Sequence, residues 1–203
     1  MSVLNRKERD RQLRRSDILK AAEHLFALKG YHKTTIRDIA KESQYATGTV
    51  YLHFKNKDDL YFSLLEEKLE HLLSIIKEKT GQVKDAKEKL EIYIREDLIF
   101  FEKNQDFFQI SLLEGSELYA ERRIFKSLFR LQMLEYTISM LKEAQEQGVI
   151  NSGFDPEKLS DVLGSIIKTV TLKWLQEKER KAESLVSLSD TILRLFLYGA
   201  ANK

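Results

Sequence analysis

Residues 35 to 57 read TIRDIAKESQYATGTVYLHFKNK, and this stretch decides the fold. Thr35 precedes Ile36, Ile39 and Ala40, which recur at the spacing of one helical face. The threonine hydroxyl suits an N-cap, and Asp38, three residues on, can return a hydrogen bond to the cap residue's own N–H. Glu42-Ser43-Gln44-Tyr45 ends the pattern, and a second short helix begins near Ala46. Its Val50 and Phe54 are four apart and share a face that can lock onto Ile36, Ile39 and Ala40. Thr47, Gly48, Thr49 and Tyr51 are left pointing outward. Two short helices at a fixed angle, followed by the start of a third that presents Lys57, have the layout of a helix-turn-helix. An outer face of small hydroxyls, a glycine and one tyrosine lets the backbone come close to a duplex, where bulky side chains would hold it off.

The residues that carry this layout also carry a resemblance. The run Thr34-Thr35-Ile36-Arg37-Asp38-Ile39-Ala40, then Gly48-Thr49-Val50-Tyr51, then His53-Phe54-Lys55-Asn56-Lys57-Asp58-Asp59-Leu60, closely resembles the DNA-binding domain of TetR-family transcriptional repressors. The match covers residues 14 to 65 in order and without gaps. Two features depart from the family pattern. Gln44 stands where the family usually has a glycine, with Tyr45 at the following small apolar position, and Ala46 replaces the usual capping Ser or Thr. A positive φ at Gln44 would cost on the order of 1 kcal/mol.

Composition sets the outer limits. The chain has 203 residues, 42% of them hydrophobic, enough for a real core in one domain or two small ones. One proline and eight glycines argue against an all-β fold. No stretch approaches the ~18 to 20 apolar residues that span a bilayer, and the N-terminus is arginine-rich rather than a secretion signal, so the expected location is cytoplasmic. The absence of cysteine excludes disulfides, thiol catalysis and Cys-based zinc sites. The net charge of +2 divides unevenly. Residues 1–57 hold thirteen Lys and Arg against six Asp and Glu, a net of +7, while the remainder holds twenty-one against twenty-six, a net of −5. A basic segment coinciding with a helix-turn-helix points to a polyanion partner.

Taken in order, residues 1–15 form a basic arm with Arg6, Lys7, Arg9, Arg11, Arg14 and Arg15, expected to fray into a first helix from Ser16 to Lys29. Ile18, Leu19, Ala22, Leu25 and Phe26 make its buried stripe, and Gly30 ends it. Asn56 is an N-cap, with Asp58 and Asp59 in the first turn of a long helix that runs to Lys79 and closes at Thr80-Gly81. From Asp85 the pattern is helical throughout. The segments are Ala86 to Phe101, a short one at 107–113, Leu118 to Gln147, one opened by Asp155-Pro156, and a last one opened by Ser184 and ended by Gly199. The reading is an all-α protein of about nine helices, with a helix-turn-helix domain over residues 1–60 and a second helical domain over 61–203.

No paired carboxylates, activated nucleophile or phosphate loop occurs at a useful spacing, so no enzyme is expected. Glu67 and His71 are four apart on a helix, but no third metal ligand accompanies them, and no cofactor is expected. The TetR resemblance implies instead a homodimer bound to a palindromic operator and released by a small lipophilic effector. It implies DNA contacts from Thr35, Arg37, Thr47, Gly48, Thr49, Tyr51, His53 and Lys57, with Thr35, His53 and Lys57 on phosphates. The effector pocket would be lined by Phe101, Phe108, Phe125, Phe129, Met133, Tyr136 and Trp174. Arg95, Arg122, Arg123 and Arg130 are candidates to meet an anionic group. The dimer interface would fall on the last two long helices, with Leu163, Gly164, Ile167, Ile192 and Phe196. Within the family, Tyr51 to Lys57, the segment around Trp174 and the ending Leu188 to Lys203 look similar to acyl-CoA-responsive repressors of fatty-acid degradation. A regulator responding to other lipophiles, an activator of the same fold, and a helical interaction protein without DNA binding remain the alternatives.

Overall fold

The computed structural model describes residues 6–105, 108, 128–176 and 183–199, with residues 128–130 described in backbone only. Among these residues there is no strand. The elements are α1 (Arg6–Lys29), α2 (Ile36–Glu42), α3 (Thr47–His53), α4 (Lys57–Thr80), α5 (Ala86–Lys103), α6 (Leu128–Glu146), α7 (Pro156–Gln176), a 3-10 turn (Leu185–Leu188) and α8 (Ser189–Tyr198). The all-α expectation holds. The short segment at 107–113 lies outside the described residues, apart from Phe108.

Helix α1 starts ten residues earlier than the sequence suggested, at Arg6 rather than Ser16. Nothing between Arg6 and Lys29 breaks a helix, and Arg, Lys, Gln, Glu and Leu all favour one. The inner end of the basic run is also anchored. The Arg15 guanidinium lies 4.8 Å from the Phe54 ring centroid and 3.6 Å from Glu67, so the run is fixed where it meets α3 and α4. Gly30, at φ +82°, ends the helix in a conformation that suits glycine.

The cap on α2 is the expected one. Thr35 Oγ1 accepts from the Asp38 N–H at 3.1 Å, and the Thr35 N–H donates to Asp38 Oδ2 at 2.9 Å. Lys29 approaches the same carboxylate at 2.8 Å and, with these hydrogen bonds, holds it well below the usual carboxylate range. At the other end of α2 the Tyr45 N–H donates to the Ala40 carbonyl at 2.9 Å and the Gln44 N–H to that of Lys41 at 3.2 Å. This is a Schellman ending, and it requires its central residue in the left-handed region. Gln44 occupies that position at φ +60°. Tyr45 packs on the core and donates its hydroxyl to Asp17 Oδ2 at 2.9 Å, which ties the turn to α1.

Val50 and Phe54 are fully buried beneath Ile39 and Ala40, which sets α3 against α2. Asn56 caps α4 by accepting from the Asp59 N–H at 2.8 Å, and Asp59 accepts in return from the Lys55 N–H at 2.8 Å. Beyond α4, Asp85 caps α5, and the Asp155 side chain accepts from the Glu157 N–H at 2.9 Å with Pro156 in the first turn. Ser184 opens the 3-10 turn before α8, which ends at Gly199, φ +69°. A continuous apolar core joins Ile18 and Phe26 of α1, through Leu64 and Leu72 of α4, to Leu98, Leu141, Leu163 and Ile192 of the second lobe.

Gln44 adopts a backbone conformation that costs a side-chain-bearing residue about 1 kcal/mol, and its side chain is exposed. Gln44→Gly should therefore raise stability by about 0.5–1 kcal/mol, read as a higher midpoint in urea with an unchanged slope.

Candidate functional site

The outward face of α3 follows from which residues it buries. With Val50 and Phe54 inward, a 100° step per residue puts Gly48 and Leu52 on the opposite side, flanked by Tyr51 and Thr49, while Thr47 is exposed at the helix start. Tyr51 is 56% exposed and Leu52 79%. Leu52 is the residue that sequence reading passed over. The signal was present, since Leu52 lies two positions from the inward Val50 and four from Gly48. A Cβ built on Gly48 meets nothing within 4 Å, so nothing inside the protein requires a glycine there.

Around this ridge the charge is positive. His53, at the end of α3, is held below its usual pKa, first by burial and then by Arg11, Arg15 and Arg14 of the extended α1. It therefore sits neutral at pH 7 beneath three guanidiniums. Arg37 is exposed on α2.

The structure spends the donors of two expected phosphate contacts elsewhere. The Thr35 hydroxyl donates to Asp38 Oδ2 at 2.7 Å and its N–H goes to the same carboxylate, so the cap uses both donors beside a negative charge. The Lys57 ammonium donates to the carbonyls of Tyr31 at 2.7 Å and Thr34 at 3.0 Å, and lies 4.1 Å from the Tyr31 ring centroid. Asp58 accepts from the Tyr31 hydroxyl. Lys57 and Asp58 thus clamp the start of α4 to the loop between α1 and α2. Glu67, paired in the sequence with His71, instead faces Arg15.

In the second lobe the Phe101 and Phe108 rings meet at a tilt, 4.5 Å between centroids, and Phe101, Met133, Tyr136 and Trp174 are partly buried against the core. Tyr136 shares a hydrogen bond with Thr80 at the end of α4, 2.5 Å between oxygens, and the Trp174 indole donates to the Glu183 carbonyl at 2.9 Å. Phe125, Arg122 and Arg123 lie outside the described residues, as do the side chains of Phe129 and Arg130. Arg95 is exposed. A groove of about 320 Å³ beside Asp17, His24 and Gln44 opens on the surface of the first lobe and is far from this aromatic group in the fold.

Three of the residues expected at an interface point the other way. Leu163, Ile167 and Ile192 are 0%, 2% and 2% exposed, packed in the core of the chain. Helices α7 and α8 are apolar on more than one side, and the sequence does not say which side is covered. Their outer surface presents Val162, Leu195 and Tyr198, with Gly164 exposed and Phe196 half-buried.

Against known proteins, residues 18–64 match the family model described as bacterial regulatory proteins of the tetR family, and residues 65–199 match a YsiA-like protein C-terminal region. The fatty acid metabolism regulator protein of Bacillus subtilis (strain 168) is 30% identical over 187 residues, 92% of this chain and 95% of that protein. The crystal structure of the regulator FadR from Bacillus subtilis in complex with stearoyl-CoA superposes with a TM-score of 0.80 at 27% identity, covering 92% of this chain and 99% of that one. FadR from Bacillus halodurans superposes at 0.83 with 24% identity, over 94% and 97% of the two chains, and speaks for the fold. These relatives are regulators rather than enzymes, and among the described residues no helix is long and apolar enough to cross a membrane. With a capped helix-turn-helix, an exposed recognition face and matches across both lobes, this chain belongs to the TetR family of DNA-binding transcriptional regulators.

Proposed function

We propose that this regulator is a homodimeric repressor that leaves its operator when a long-chain acyl-CoA enters the second lobe. The observation that most supports DNA reading through α3 is the bare Gly48–Leu52 ridge, open to solvent and held rigidly by the Schellman turn and the Val50–Phe54 lock. Thr47, Thr49, Tyr51 and Leu52 contact base edges, with Leu52 suited to a thymine methyl. Arg37, His53 and the arginines of α1 take phosphates, while Lys57 holds the loop before α2 through the Tyr31 and Thr34 carbonyls. Two recognition helices in successive major grooves, ~34 to 36 Å apart, read a palindromic operator.

Dimerisation uses the outer surface of α7 and α8, where Val162, Leu195 and Tyr198 surround Gly164 and Phe196. Effector chemistry rests on the 30% identical fatty acid metabolism regulator and on the stearoyl-CoA bound to a protein of this fold. Phe101, Phe108, Met133, Tyr136 and Trp174 are the described residues that would face the acyl chain.

Binding of the purified protein to duplexes from the region upstream of its own gene, across a salt series and with or without hexadecanoyl-CoA, tests the reading. Selective binding that weakens steeply with salt is expected, with operator affinity falling roughly 5- to 150-fold when acyl-CoA is present. Selective binding indifferent to acyl-CoA would remove the effector assignment, and no duplex binding at low salt would remove the whole reading. Gly48→Ala separates DNA contact from folding. The free protein should gain about 0.5–1 kcal/mol from helix propensity, while operator affinity drops by on the order of tenfold because the added methyl stands between helix and groove.

A further inference from the structure

Two polar side chains of the second lobe make no hydrogen bond among the described residues. Thr171, on α7, is 3% exposed, and its hydroxyl has no hydrogen-bond partner. Asp97, on α5, meets no cation and accepts no hydrogen bond among the described residues. Its carboxyl is pushed up to about 7 by burial alone, although the residue keeps some accessible surface. Deep placement together with residual accessibility is what a group facing an interior space has, rather than one facing bulk water.

Helix register brings the two to one level. Helices α5 and α6 run antiparallel, joined by Ala86 to Gln147 at 2.9 Å, Lys89 to Glu143 at 2.7 Å and Tyr93 to Thr137 at 3.3 Å. One turn further along α5, Asp97 comes level with Met133. The α6–α7 hairpin is closed by Gln145, which donates to the carbonyls of Asn151 and Phe154. Met133 lies about 18 Å and Thr171 about 23 Å from that closure along their helices at 1.5 Å per residue, within one turn of the same level. The neighbouring aromatics are Phe101, one turn beyond Asp97, and Trp174, three residues beyond Thr171. Among the described residues, titratable groups near Asp97 are few. On its own helix there is Tyr93, whose phenol is raised by burial and by the Asp97 charge, while Glu96 is turned to Lys79 of α4 at 2.6 Å. At this level α6 offers Met133 and Thr137, and α7 offers Thr171, none of them charged.

A buried hydroxyl without a partner costs the fold free energy, and so does desolvating a carboxyl that keeps only part of its access to water. We propose that Asp97 and Thr171 form the polar contact point of the effector pocket, where they take an uncharged hydroxyl or carbonyl oxygen of an otherwise apolar ligand. This rests on the effector reading above and adds the pocket's selectivity to it. Protonated, the carboxyl donates and accepts; ionised, it accepts only; the threonine hydroxyl does both, so the pair suits a hydroxyl in either form and a carbonyl oxygen when Asp97 is protonated. Anionic carboxylates are disfavoured beside Asp97.

The test uses the full-length protein with Asp97→Leu, Asp97→Asn and Thr171→Val. Melting temperature is measured for each, and calorimetric affinity for hexadecanoyl-CoA and 3-hydroxyhexadecanoyl-CoA. Asp97→Leu should melt at the same temperature or higher, because it removes an unpaired buried carboxyl. Its affinity should nevertheless fall roughly tenfold or more. Asp97→Asn, which keeps hydrogen bonding, should retain most of the affinity, and Thr171→Val should lose several-fold. A loss for both ligands identifies a carbonyl contact, and a loss for the hydroxylated ligand alone identifies a hydroxyl; either supports the pair. Wild type binding acyl-CoA while all variants bind equally well overturns this proposal alone, as does a lower melting temperature in Asp97→Leu with affinity intact. Wild type binding neither ligand overturns both this proposal and the acyl-CoA reading.

Discussion

Helix α4 can bury its apolar side only by sharing it between two lobes, and the remainder of the structure depends on that sharing. Its first turns place Tyr61 against Phe26 and Tyr31, at 5.8 and 5.4 Å between centroids. Its later turns bury Leu72, Leu73 and Ile76 toward α5 and α6. Between the two sits Lys68, with 14% of its side chain exposed, whose ammonium meets Glu23 of α1 at 2.6 Å and Asn104 at the end of α5 at 2.7 Å. Removing one partner from such a buried group leaves the other uncompensated, so the contact holds the lobes in one relation.

The same helix touches both lobes at its two ends. At its start Lys57 and Asp58 hold the loop before α2, and at its end Thr80 and Lys79 meet Tyr136 and Glu96. In the proposed function, a ligand that repacks α5 and α6 pushes on the later turns of α4, and the helix carries that shift to its start. Packed interiors pass such a shift on rather than absorb it. The coupling is limited to the difference in the ligand's affinity for the two arrangements, which is why idle polar groups in the lobe matter: they give a ligand something to gain in one state only.

Much of the first lobe was legible in the sequence because short-range rules fix it. The Thr35 cap, the Asn56 cap, the Val50–Phe54 lock and the need for a positive φ at Gln44 all involve residues within a few positions of each other. The start of α1 was misplaced because a basic run free of breakers has the composition of a solvated tail as well as that of a helix, and only contact with Phe54 and Glu67 settles it. Lys57 and Thr35 were read as phosphate ligands because sequence spacing cannot reveal that nearby carbonyls and a carboxylate use their donors first. Leu163, Ile167 and Ile192 could not be told from outward residues on helices that are apolar around much of their circumference. Asp97 drew no notice for a related reason: a single carboxylate in an amphipathic helix looks solvated until its neighbours are known.

The most direct test of the account is the coupling between effector and operator in Lys68→Met, which removes the charge that joins α1, α4 and α5 while keeping the side chain's length. Operator affinity is measured with and without saturating hexadecanoyl-CoA in the variant and in wild type. The account predicts that each ligand still binds alone, while the acyl-CoA-induced loss of operator affinity shrinks by several-fold. An undiminished effect in Lys68→Met would contradict the claim that α4 carries the signal through this contact.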